Sequence, residues 1–277
     1  YLMSKPILAG GSVYHTFRKW TDSNYKVKQM GFSLRGGAPF RLLDYSRFQL
    51  IYSYYLKDYD YIDSSEEDLE NTSQAVIDYV NRGEVYSSTV GCSFVRDSRD
   101  DIFMPTEGSN TSMLFEIAGG WLGGDEEYFK QTYETNWYLR LYDKFVLMNR
   151  ARFGYIAPLS SGKEPPLDEK YYPGGRGVNG IRGYEDNEFG GTDGRSAMVI
   201  FGSELSYPLV ENQIRALIFF DAGNGFDRWS DAAFNDLYKG IGIGVRIQTP
   251  FAPLGFDYGY GMDKEKWRFH FQFGTAF

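Results

Sequence analysis

The sequence predicts an all-β fold, a transmembrane antiparallel β-barrel with a long loop folded into it. Three observations carry that expectation. Apolar and polar residues alternate with period two along most of the chain, and no helical period is sustained. Aromatic residues make up 18% of the 277 residues, with 23 Tyr and 22 Phe beside 32 Gly. They gather toward the strand ends, as the interfacial girdles of a barrel require. Short and long connections alternate, as inner turns and outer loops do in outer-membrane barrels.

Composition narrows the function classes. Mean hydropathy is -0.43, and apolar runs such as Phe145–Met148, Ala197–Phe201 and Ala216–Phe220 are short. None approaches the roughly 20 residues of a spanning helix. Barrel strands escape that test, because their alternation averages to a polar hydropathy. A net charge of -8 argues against nucleic acid, which needs a basic footprint. Cys92 is the sole cysteine and forms no internal disulfide. The chain opens at Tyr1 with no Met or signal peptide, yet its composition looks exported, so it reads as a mature fragment.

Alternation marks about twelve strands: Ile7–Trp20, Tyr25–Arg35, Tyr45–Lys57, Glu84–Arg96, Thr111–Leu122, Tyr128–Leu141, Phe145–Ile156, Ser196–Tyr207, Gln213–Asp221, Lys239–Ile247, Gly255–Gly261 and Trp267–Phe277. In the seventh, Phe145, Leu147, Ala151, Phe153 and Tyr155 share a face broken only by Asn149, against Arg150, Arg152 and Gly154. In the tenth, Ile241, Ile243, Val245 and Ile247 oppose Gly242, Gly244 and Arg246. The last sets Trp267, Phe269, Phe271, Phe273 and Phe277 against Arg268, His270, Gln272 and Gly274. The polar face is small or charged, as a wet lumen allows. Loop parity makes the first strand run outward and the last run inward.

Among the connections, Asp58–Gly83 is acidic and reads as a solvated outer loop, since no calcium-loop spacing is present. Residues 97–109 read as a rigid inner turn: Asp and Ser can satisfy backbone donors, Pro105 stops the ladder and Gly108 permits positive φ. The connection Ala157–Arg195 is an outlier in length and glycine content, and such loops are functional or disordered. Its Arg182 needs a partner, and Glu204 and Asp221 on the following strands are the candidates. Glu204 points inward by alternation. Asp221 is harder to place, because Leu217 and Phe219 share its phase. His15 and His270 carry no metal-ligand spacing and read as lumen or rim residues, so no metal is expected. No phosphate loop or nucleophile elbow is present, and no cofactor or catalytic residue is expected.

Several segments together resemble the barrel of the BamA family, the bacterial outer-membrane protein insertases. They are Asp97–Ser109 (DSRDDIFMPTEGS), Ile181–Tyr184 (IRGY), Phe219–Gly225 (FFDAGNG), Gly242–Tyr260 and the terminal HFQFGTAF. The resemblance covers nearly the whole chain. It implies a C-terminal barrel part of about twelve of the family's sixteen strands, with the first strands and the POTRA domains outside this chain. It implies a loop lock of Ile181, Arg182, Gly183 and Tyr184 with Glu204 and Asp221. It implies a gate strand carrying Phe269, Phe271, Phe273, Gly274 and Phe277, kinked at the glycine. Its function would be insertion and folding of β-barrel proteins through a lateral gate, without covalent chemistry, in the bacterial outer membrane. The implied partners are outer-membrane lipids and lipopolysaccharide, nascent β-barrel substrates and accessory lipoproteins. The alternative is a two-partner-secretion-type translocator or a passive pore. The chain departs from the family pattern at one place: extra residues stand between Gly174-Gly175 and Ile181, leaving the loop tip's conformation open.

Overall fold

The computed structural model describes residues 7–63, 65 and 72–274. Twelve strands form one antiparallel sheet in sequence order. They are β1 (Leu8–Trp20), β2 (Tyr25–Pro39), β3 (Ser46–Tyr61), β4 (Glu84–Asp97), β5 (Gly108–Ala118), β6 (Tyr128–Arg140), β7 (Val146–Pro158), β8 (Ala197–Val210), β9 (Ile214–Phe226), β10 (Tyr238–Ile247), β11 (Leu254–Gly261) and β12 (Lys266–Phe273). Each is paired with its sequence neighbours; among the described residues β1 and β12 do not pair with each other. The sheet curls around the connection between β7 and β8, which reaches Tyr25 on β2 through Tyr172 and Phe271 on β12 through Arg176.

The two faces follow the alternation. Val13, Phe17, Leu139, Ile241, Ile243 and Phe269 are exposed on the outer face, while Asn136, Arg150, Glu204 and Asp221 are buried on the inner one. In a soluble sandwich these burials would be reversed; here hydrocarbon covers the apolar side. Asn149 is exposed on the outer face directly opposite Trp137. His15 lies on the outer face opposite Met30, in phase with Val13 and Phe17, and so is neither lumenal nor at the rim.

Two elements differ from expectation. The acidic connection after β3 contains a helix, α1 (Gln74–Arg82), which buries Val76 and Tyr79 against Tyr25, Tyr59, Val85 and Leu167. Ser73 caps its N-terminus by accepting from the Val76 N–H at 3.3 Å, and Gly83 follows its end at φ +72°. That connection is thus partly a packed lid over the outer mouth and not wholly a solvated loop. Second, β12 ends at Phe273, because Gly274 adopts φ +91° while its N–H still donates to Pro253 O at 2.8 Å. Phe277, expected on this strand, lies outside the described residues.

The inner turn between β4 and β5 is rigid for the predicted reason. Asp100 Oδ1 accepts from the N–H groups of Thr106 and Glu107, and Asp101 Oδ1 accepts from Phe103 and Met104. The Thr106 hydroxyl, with the N–H groups of Thr106 and Glu107, holds the Asp100 carboxyl below its usual range despite partial burial. The turn also reaches across the inner end: Arg215 on β9 donates to the carbonyls of Pro105 and Met104 at 3.0 and 3.4 Å.

Candidate functional site: the in-folded loop and its charge clusters

The connection from β7 to β8 enters the lumen as a stalk and returns. Tyr171 and Arg195 form a short antiparallel bridge, exchanging backbone hydrogen bonds at 2.9 and 2.8 Å. Beyond it the chain descends to Ile181 and Tyr184, both fully buried. Descent of a backbone against a wall requires that the wall lack side chains. A Cβ at Gly240 on β10 would lie 1.9 Å from Arg182 O, and one at Gly259 on β11 would lie 2.7 Å from Gly183 N. Gly183 itself needs its glycine, at φ +99°.

Arg182 meets both carboxylates that the sequence singles out. Its Nε and Nη2 donate to the two oxygens of Asp221 at 2.6 and 2.9 Å, a bidentate fork, and its backbone N–H adds a third bond at 3.1 Å. Its Nη1 donates to Glu204 Oε1 at 2.5 Å. The guanidinium lies 3.6 Å from the centre of the Phe219 ring. Phe219 therefore shares Asp221's inward phase for a physical reason: it is the platform on which the cation stacks. Tyr184 donates to Asp263 and to Lys239 O at 2.7 and 2.8 Å, and Gly183 N–H donates to His270 Nε2 at 3.0 Å. The IRGY segment is thereby bonded to β8, β9, β10 and β12 and to the turn between β11 and β12.

Three further residues belong to this cluster and are missing from the sequence-based set. Asp257 on β11 stands 3.6 Å from Arg182 Nη1, and Arg246 on β10 grips Asp257 at 2.7 and 3.1 Å. Arg150 on β7 donates to Gly180 O at 2.6 Å and stands 3.5 Å from Asp221. Arg246 lies on a face already marked polar by alternation; what alternation cannot supply is which strands abut the loop. Three arginines face three carboxylates, so the buried charge is balanced.

A second cluster, not expected from the sequence, holds the stalk near the outer mouth. Lys57 on β3 is fully buried, with Glu126 and Asp168 each 3.0 Å from its Nζ and Glu169 at 3.5 Å. Tyr59 donates to Asp168 at 2.6 Å, and Lys130 pairs with Glu169 at 2.8 Å. Asp168 and Glu169 come from the stalk, Glu126 from the connection before β6. Glu126 Oε2 receives charge from Lys57 but no aligned hydrogen bond. Burial pushes the Glu126 carboxyl up to about 7, against the pull of Lys57 and with help from Asp168. Glu169 is held down at about 2, as Lys130 and Lys57 together outweigh its burial.

Of the predicted gate residues, Phe269, Phe271 and Phe273 lie on β12, Gly274 follows its end, and Phe277 is outside the described residues. Phe269, Phe271 and Phe273 are exposed on its outer face, and the first two make tilted ring contacts with Phe256 of β11 at 6.3 and 5.2 Å. Among the described residues no group of three or more His, Cys, Asp and Glu is arranged to hold a metal ion.

An antiparallel sheet apolar outside and charged inside, wrapped around an arginine-anchored loop, defines an outer-membrane barrel wall with a lumenal tether. The Omp85 superfamily domain matches residues 1–277, and the chain belongs to that superfamily of outer-membrane proteins. It is 31% identical over 212 residues to the outer membrane protein assembly factor BamA of Nitratidesulfovibrio vulgaris, spanning 70% of this chain and 26% of that protein. It is 28% identical over 239 residues to BamA of Neisseria meningitidis serogroup B, spanning 71% of this chain and 29% of the relative. The chain thus spans under a third of the length of these relatives. The crystal structure of BamA from Haemophilus ducreyi lacking POTRA domains 1–3 superposes with a TM-score of 0.78 at 19% identity, covering 99% of this chain and 59% of that one.

Proposed function

We propose that this chain is the barrel portion of an assembly factor that inserts and folds β-barrel proteins in the bacterial outer membrane. In the whole protein it would follow POTRA domains and further strands. The observation that carries the reading is the Arg182 cluster. It bonds the loop to β8, β9 and β11 and, through Gly183 and His270, to β12. The wall beside β12 is thereby propped from within. An unpaired strand edge templates an incoming strand, and lipid makes leaving that edge unsatisfied costly. The work is conformational and uses no covalent chemistry. Ile181, Arg182, Gly183, Tyr184, Glu204 and Asp221 act as the loop lock, and Phe269, Phe271, Phe273, Gly274 and Phe277 belong to the gate strand. Its partners are outer-membrane lipids and lipopolysaccharide, nascent barrels and accessory lipoproteins.

The test is reconstitution of the full-length protein in lipid vesicles with an unfolded eight-stranded barrel as substrate. Folding of the substrate should be faster than in empty vesicles, and Arg182→Ala should remove most of the gain. Equal rates with and without the protein would refute the reading.

A further inference from the structure

The extra residues at the loop tip place Arg176 against β12. Its Nη1 donates to the backbone carbonyl of Phe271 at 2.6 Å, a contact across 95 residues of sequence. The direction of that carbonyl follows from the ladder. In an antiparallel pair, directly opposed residues alternate between hydrogen-bonded and non-hydrogen-bonded pairs. Gly274 N–H donates to Pro253 O, so the pair 253/274 is hydrogen-bonded. Counting back along the register, Gln272/Gly255 and His270/Asp257 are hydrogen-bonded, while Phe273/Leu254 and Phe271/Phe256 are not. The N–H and C=O groups of Phe269, Phe271 and Phe273 therefore point away from β11, toward the edge that an added strand would use. Arg176 occupies one of them.

The surroundings suit a contact that forms and releases. Arg176 is about half exposed and its other partner is Asp186, whose Oδ2 accepts from Nε at 3.2 Å and whose Oδ1 accepts from the Arg176 N–H at 3.0 Å. Gly174, Gly175 and Gly177 around it all have positive φ. The segment from Ile181 onward is anchored by the Arg182 cluster, so Arg176 can let go of β12 without moving the lock. A guanidinium on one carbonyl satisfies that acceptor yet offers nothing to continue the sheet, a way of blunting an edge.

We infer that Arg176 guards the pairing edge of β12, and that a strand adding there must displace its guanidinium from the Phe271 carbonyl. The inference rests on the proposed strand-templating function and names a residue that sets how readily the edge accepts a strand.

The experiment uses the full-length protein in lipid vesicles, with Phe273→Cys on β12 and a synthetic ten-residue strand peptide of alternating apolar and polar residues bearing one cysteine. The initial rate of disulfide cross-linking is read for this background and for Arg176→Ala and Arg176→Lys added to it. Removing one charge-assisted hydrogen bond should speed cross-linking about fivefold in Arg176→Ala, and Arg176→Lys, which keeps a cationic donor, should stay near the background rate. Equal rates in all three, with cross-linking present, would overturn the guard alone. A peptide that cross-links at β12 in none of them would overturn both the guard and strand templating. Arg176 lies on an exposed loop tip, and unchanged heat-modifiable migration checks that each variant is folded.

Discussion

The loop is held in the lumen at two places, and the two are built differently. Around Arg182, three arginines meet three carboxylates, and an aromatic ring covers one face of the central cation. Around Lys57, two lysines meet Glu126, Asp168 and Glu169, so carboxylates are in excess. Burying a charge is costly unless it is paired and hydrogen-bonded. The inner cluster meets that cost by stoichiometry and geometry. The outer one meets it in part by protonation, since Glu126 titrates near neutrality. The outer anchor therefore carries a carboxyl group that responds to pH near neutrality.

The largest effect expected is that of Arg182→Ala. It leaves Glu204 and Asp221 buried without their principal partner, at a cost of about 3–5 kcal/mol. The loss should appear as earlier thermal unfolding in detergent and as raised hydrogen exchange throughout residues 178–186. A change confined to the stalk would show that the two anchors are not separate. Gly240→Ala comes next, at about 2–3 kcal/mol, since its methyl group meets the Arg182 carbonyl and the backbone must shift. It should loosen the inner anchor alone.

Lys57→Met should cost about 2 kcal/mol at pH 8 and less at pH 6, where protonated carboxylates partly replace the lost cation. Its exchange signature belongs at residues 167–172. The smallest effect is the pH dependence of the outer anchor itself. Glu126 has a folded-state pKa raised to about 7 from an ordinary value near 4.5. Its stabilising contribution is therefore full below about 4.5 and declines as pH rises through about 7. Glu169, lowered to about 2, acts oppositely and loses its contribution only as pH falls below about 4.5. Stalk protection should thus increase between pH 8 and pH 6, and Glu126→Gln should flatten that slope. A slope unchanged in Glu126→Gln would assign the response to another group.

The strands were legible because a sheet wet on one side and lipid-covered on the other imposes period two over its whole length. Their ends were less legible, since Gly274 ends β12 by a backbone conformation that alternation does not report. Helix α1 has a sequence signal, though a diluted one. Ser73 and Gly83 bracket nine residues, with Val76, Tyr79 and Val80 at helical spacing, but the surrounding acidic residues dilute the pattern. Arg182, Glu204 and Asp221 were found through family resemblance, with alternation supporting Glu204. Arg246 and Arg150 stand on polar faces in the alternation, without a reason to meet each other or Asp257. Their meeting depends on where a long loop lands, which no local pattern encodes. The Lys57 cluster was missed for the same reason: its members come from β3, β6, the connection before β6 and the stalk.

The inner turn between β4 and β5 has a mechanical consequence. Arg215 grips its Met104 and Pro105 carbonyls from β9, so the turn works as a strut bracing the inner rim from β4 to β9. A displacement of either end of that strut is passed to the other, so β9 and the turn between β4 and β5 move as one at the inner rim.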